Sequence, residues 1–202
     1  MDYAGLQTAV GAYLNRGDLY QLVPTFIALA EAQLSRDLRH PRMVGRAVAT
    51  LGAEFEALPT DFAELISVTL AATGETLDGL SVEAIADRRA RLGSPAGRPD
   101  SYAIVGASLQ LLPAPDGPYD LEIAYFQQPP ALSAAAPTNW LLAAFPDLYL
   151  YGALAHAAAF LPDDRRLASW SGLYAAALES ARADATRAPY GARLTTRPTL
   201  AV

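Results

Sequence analysis

Apolar residues recur at helical spacing at both ends of this chain and lose that period in its middle. Near the start, Tyr3, Leu6, Val10 and Tyr13 fall three or four residues apart, and Asn15-Arg16-Gly17-Asp18 then supplies a stop followed by a cap. A second helix is predicted after a short turn. Pro24 suits its first position, and Phe26, Ile27, Ala30, Leu34 and Leu38 form one apolar stripe that ends before His40-Pro41. From Asn139 to Ala185 the pattern predicts two alanine-rich helices joined by a Pro-Asp-Asp corner at 162–164. Thr138 or Asn139 caps the first part, Pro146 lies just inside the longer helix, and Asp163 or Asp164 caps the last helix, whose stripe is Leu167, Trp170, Tyr174, Leu178 and Ala181. Alanine at the contact positions lets helix backbones approach closely, while Leu, Tyr and Trp supply the apolar area that holds them together.

Between Thr50 and Pro130 the pattern changes to short elements punctuated by Gly and Pro, such as LPTDF, SVTLAA and DLEIAYFQQP. Tyr102 to Leu112 reads as two strands turned at Gly106-Ala107, and Leu121, Ile123 and Tyr125 alternate as a third. Ser81 to Arg91 reads as a helix capped by Ser81 and ended by Arg88, Arg89 and Arg91. The expected fold class is therefore mainly α, a helical bundle with an inserted small β-rich subdomain and an extended C-terminal tail. Residues 1–48 give the N-terminal helices of the bundle, 49–132 the β-rich insertion with its short helix, 133–188 the C-terminal helical hairpin, and 189–202 the tail. The tail, which has no period, belongs to a class of segment that orders on meeting a partner.

Composition narrows the chemistry. A formal charge of −6 argues against a general nucleic-acid coat, which needs a basic excess to neutralise phosphates. All fifteen basic residues are Arg. The absence of Cys removes disulfides and thiolate chemistry, and two distant histidines, His40 and His156, make a metal site improbable, so no metal or cofactor is expected. The N-terminus lacks the features of a secretory signal, and no apolar run reaches the length of a membrane span, so the product is expected to be soluble and unprocessed, without a membrane partner. Phosphate-cradling, dinucleotide-binding, zinc-protease and nucleophile-elbow motifs are missing, and no catalytic residue is assigned.

Three groups of residues remain as candidates. Arg36, Arg39, His40, Arg42 and Arg46 either face DNA or an acidic partner, or simply place positive charge at the end of the second helix. Arg88, Arg89, Arg91 and Arg98 are equally readable as a solvated edge. The carboxylates Glu54, Glu56, Asp61 and Glu64 cluster in sequence and read as a solvated face, and His156 reads as a packed or interface histidine.

The ordered set YLNRGDL, VPTFIALAEAQLSRDLRHPRM, LPTDFAEL, a Pro-x-x-Tyr-Ala-Ile-x-Gly hairpin at 99–106, NWLL and PDLYLYGALAHAAAFLPDD resembles phage adaptor proteins, the head-to-tail connectors of tailed phages and gene transfer agents. LAEAQLSRDLR at 29–39 and DLYLYGALAHAAAFLPDD at 147–164 carry most of it. The resemblance implies a non-catalytic virion protein in the neck, made in the host cytoplasm. It implies a dodecameric ring of copies that joins the portal protein to tail or stopper proteins below, with genomic DNA passing through the lumen unread. By the same resemblance, Pro189, Tyr190, Arg193, Leu194, Arg197 and Leu200 are expected to grip the portal. Tyr149, Tyr151, Trp170 and Tyr174 are candidates for the interface between subunits, where aromatics commonly anchor binding, and Arg36, Arg39, Arg42 and Arg46 for a DNA-facing or partner-facing surface.

Two other readings compete. A cellular helical module that binds proteins would share the alanine-rich hairpin, but the chain lacks the repeated copies that such a solenoid needs. An enzyme would have to draw on His156 with Asp163 or Asp164.

Overall fold

A computed structural model describes residues 1–93, 96–160 and 166–187, except the side chains of residues 159, 166 and 167. The described chain divides into two units. One is built from residues 1–43 and the part of the chain from 129 onward, and the other from Val44–Gln128.

The first unit is helical: α1 (Tyr3–Leu14), α2 (Val23–Asp37), α4 (Trp140–Ala144), α5 (Pro146–Ala157) and α6 (Arg166–Arg187), where α3 lies in the other unit at Val82–Leu92. Local chemistry sets the helix ends. Asp2 accepts the Gly5 N–H at 2.8 Å as the α1 cap, and Asn15 ends that helix in the left-handed region at φ 50°, which Asn tolerates well. Asn139 caps α4 by accepting the Leu142 N–H at 2.7 Å, and Pro146 then opens α5.

Helix α5 packs against α1, α2, α4 and α6 and is the centre of this unit. Its buried residues, Leu148, Tyr149, Gly152, Ala153, Leu154 and Ala157, surround the helix rather than marking one stripe, as a helix enclosed by others requires. Around it lie Leu6, Val10 and Leu14 of α1, Phe26, Ile27, Ala30 and Leu34 of α2, and Trp170, Tyr174, Leu178 and Ala181 of α6, all buried. Burying each large side chain contributes about 1.5–3 kcal/mol. The tightest approach is at Gly152, where a Cβ would lie 3.1 Å from the Ala30 Cβ and 3.3 Å from the Tyr174 ring.

The second unit corrects the expected fold class. About 49% of described residues are helical and 25% lie in strands, and the strands form two four-stranded sheets rather than a small insert in a helical bundle. The first sheet contains β1 (Val44–Leu51), β3 (Phe62–Leu70), β4 (Glu75–Thr76) and β8 (Tyr119–Gln127) in the order β1-β8-β3-β4. The second contains β2 (Phe55–Ala57), β5 (Asp78–Gly79), β6 (Ser101–Val105) and β7 (Ser108–Leu112) in the order β2-β7-β6-β5. Leu51, Val68, Leu70, Leu121, Ile123 and Tyr125 of the first sheet share a core with Leu109 and Leu111 of the second. Helix α3 covers the second sheet through Ile85, which is buried with Ala103 and Leu112.

The alternation that marks a strand is hidden in two places. The inward positions of β1 are Gly45, Ala47, Ala49 and Leu51, and the first three are too small to read as an apolar face. Strand β3 pairs with β8 across two register shifts, between Phe62 and Glu64 and between Leu65 and Ser67, so its period breaks twice. The result is that one nine-residue strand looks like two short pieces in sequence.

The close approach at Gly152 gives a prediction. Gly152→Val should lower stability by about 1–3 kcal/mol, the usual cost of overpacking. Gly172 of α6, where a Cβ would meet nothing within 4 Å, provides the control: Gly172→Ala should raise stability by up to about 1 kcal/mol. Urea unfolding of the three proteins measures both; equal effects at the two glycines would refute the packing account.

Candidate functional site

The candidate residues at the end of α2 meet the last turns of α6. Tyr174 donates its hydroxyl proton to the Asp37 carboxylate at 3.1 Å, and the Arg182 guanidinium donates to the Asp37 carbonyl at 2.8 Å. Gln33 donates to the same Asp37 carboxylate at 3.1 Å. Three residues further on, His40 is buried and its Nε2 lies 3.3 Å from Asp184. The Arg42 backbone N–H donates to His40 Nδ1 at 3.1 Å, so the neutral ring carries its proton on Nε2 and donates it to Asp184. The ring packs on Trp140 at 5.3 Å between centroids, and the Arg42 guanidinium lies 4.9 Å from the Trp140 centroid. With both nitrogens engaged, this imidazole has no lone pair left for a substrate; it ties two chain segments together.

The basic residues separate accordingly. Arg39 donates to the carbonyls of Ser35 at 2.9 Å and Leu38 at 2.8 Å, satisfying acceptors that the end of α2 leaves open. Arg36 is exposed. Arg46 lies on β1 in the other unit, ion-paired with Glu122 at 3.1 Å. The second basic group is neutralised within its own unit: Arg88 pairs with Asp100 at 2.8 Å, Arg89 with Glu54 at 2.6 Å, Arg91 with Asp87 and Arg98 with Glu75. Of the clustered carboxylates, Glu54 also accepts from Gln110 at 2.8 Å, and Asp61 accepts from the Tyr125 hydroxyl at 3.0 Å. These acids hold different strands in place and do not converge on a common point.

The four aromatic candidates divide unevenly. Tyr149, Trp170 and Tyr174 are buried, while Tyr151 is half-buried. Burial pushes the phenols of Tyr149 and Tyr174 well above the ordinary tyrosine range. The Tyr149 hydroxyl accepts from the Asn139 side-chain amide at 2.8 Å, and the same amide donates to the Pro130 carbonyl at 2.7 Å. Asn139 thus caps α4, holds the incoming link and satisfies a buried tyrosine. Beside it, Glu31 accepts the Leu132 N–H at 2.8 Å, and burial raises its carboxyl above the ordinary glutamate range.

Sequence reading left the cap open between Thr138 and Asn139, of which the structure uses Asn139, missed its two other bonds, and missed Asp37 and Asp184 altogether. No local signal could have revealed them, because their partners lie 137 and 144 residues away. Pro189, Tyr190, Arg193, Leu194, Arg197 and Leu200, the predicted portal grip, lie outside the described residues, as do Pro162, Asp163 and Asp164. His156 has a buried Nε2 with no hydrogen-bond partner among the described residues, and burial, followed by the nearby Arg36 charge, lowers its pKa. Among the described residues no group of three or more His, Cys, Asp or Glu side chains could hold a metal ion, and no helix is long and apolar enough to cross a membrane.

The His156 environment sets a pH dependence. Because its folded-state pKa lies below the unfolded value of about 6.5, the unfolded chain takes up the proton first. Its contribution to stability is present above that value and is lost as pH falls through the folded-state pKa. Urea unfolding at a series of pH values should therefore show a smaller acid-side loss for His156→Gln than for the parent chain; parallel curves would contradict the assignment.

A family model described as SU10 adaptor protein matches residues 1–197. No curated protein matches the chain.

Proposed function

The chain belongs to the SU10 adaptor protein family, and so to the phage adaptor proteins, and from that premise we propose a head-to-tail connector that forms a ring between portal and tail. The match across residues 1–197 is the observation that carries this reading. An adaptor of this kind is a component of the virion and works among other phage structural proteins. Its role is structural, without catalysis. We place it in the neck, as a dodecamer whose lumen passes genomic DNA and whose lower face receives a tail or stopper protein.

Several physical features support the reading. A ring subunit must keep its shape while DNA and partners load it, and the ties from Asp37 and His40 to α6 fix the end of α2 at three points. An overall charge of −6 suits a conduit through which DNA slides without being retained. Since Tyr149, Trp170 and Tyr174 are occupied in the core, Tyr151 is the aromatic residue we assign to the contact between copies. Arg36, exposed at the end of α2, is the basic residue we assign to a DNA-facing or partner-facing role. The segment from Pro189 to Val202 is the portal grip in this account.

Removing the gene from the phage that encodes it tests the proposal. Electron microscopy should show DNA-packaged heads separated from tails, with infectivity restored by the gene supplied in trans. Normally tailed, infectious particles in its absence would overturn the connector reading.

A further inference from the structure

The edges of the two sheets are not equally guarded. An open edge is a row of unpaired N–H and C=O groups that can template another strand, and proteins blunt such edges with short strands, bulges, charges or proline. Strand β2 offers three residues, and β4 and β5 offer two each. Strand β3 is not an edge, since it lies between β8 and β4. Strand β1 is neither short nor bulged, and Arg46 is its one charge. All eight of its residues pair in unbroken register with β8 on one side, no described strand pairs with its other side, and its sequence, VGRAVATL, contains neither proline nor lysine. Val48 is 66% exposed and Val44 is 43% exposed, so apolar side chains stand along the same edge.

From this asymmetry we infer that β1 is a strand acceptor, and that its occupant is the C-terminal tail of a second copy of this chain. Fifteen residues follow Arg187, the last described residue. Within them Arg193-Leu194-Thr195-Thr196-Arg197 carries a short strand signal bounded by Gly191 and Pro198, a length that fits within the eight residues of β1. Thr195 is eight residues beyond Arg187, a reach of about 27 Å when extended. Charge favours the pairing. The tail segment has two Arg and no acidic side chain, while the outward surface beside β1 presents Asp120 and Glu122 against a single basic residue, Arg46. Thr50 already donates to Asp120 at 2.7 Å and Arg46 pairs with Glu122, which leaves a net negative strip on β8, one strand in from the open edge. Main-chain hydrogen bonds would supply affinity, and alternate side chains the register.

This inference rests on the reading of the chain as a self-associating adaptor and names one of the contacts that association uses. The portal, if it binds the same tail, competes with β1 for it.

Because the full chain has no cysteine, single thiols can be placed without background. Full-length Val48→Cys and Thr195→Cys proteins, mixed without portal and treated with a mild oxidant, should form a disulfide-linked dimer. The yield should exceed that of an Ile66→Cys and Thr195→Cys mixture by about tenfold or more, since pairing raises the local thiol concentration. Ile66 is an apt control, being 47% exposed on β3, which lies between two other strands. Equal yields from the two mixtures, or no dimer, would overturn the inference. So would a Val48→Cys/Thr195→Cys double variant that closes its disulfide only within one chain. Sedimentation of the same proteins reports self-association separately: oligomers without the specific cross-link would sink the strand-acceptor proposal and leave the ring reading standing.

Discussion

The helical unit depends on how closely α5 is enclosed by its neighbours. At Gly152 the backbone of α5 approaches Ala30 of α2 and the ring of Tyr174 of α6 so nearly that even a methyl group would press on both. Small residues on α5, including Ala153 and Ala157, keep that approach available, and the large residues around them supply the buried area. Tyr174 joins this packing to the polar network, since the ring that faces Gly152 also carries the hydroxyl bonded to Asp37. A change at the helix crossing is therefore transmitted to the end of α2, where Arg39, His40 and Arg42 are held.

Polar groups then fix what packing leaves free. His40 has each nitrogen committed, one to the Arg42 backbone and one to Asp184, and Asn139 serves a helix cap, a link segment and a buried hydroxyl at once. Such groups satisfy one another in a place where an unpaired donor or acceptor would cost about 1–3 kcal/mol. In this respect His40, Arg39 and the paired arginines of the β unit, which stood out in the chain as candidates, are occupied in holding its shape. That is what a structural protein requires, and it accords with membership in a family of phage adaptors.

Much of the helical part was legible in sequence because its signals are local. The stripe from Phe26 to Leu38, the Asn139 cap and Pro146 each act within a few residues, as do the Gly106-Ala107 turn and Ser81 cap of the other unit. The weight of the β structure was not legible. Gly45, Ala47 and Ala49 hide the inward face of β1, and the irregular pairing of β3 erases its period, so an eight-stranded unit read as a small insert. The candidate site was half visible for the same reason. Arg36, Arg39 and His40 stood out as a cluster, but Asp37, which ties that end of α2 to Tyr174 and Arg182, did not, and His40's partner Asp184 likewise comes from a helix more than a hundred residues later and carries no mark of it.

A connector must be a stoichiometric part of the join between portal and tail. Quantitative mass spectrometry of purified particles, counting copies of this chain against copies of the portal protein, tests that requirement most directly. A ratio of about one is expected, as matched closed rings require. Particles that contain portal and tail but lack this chain would contradict the connector role.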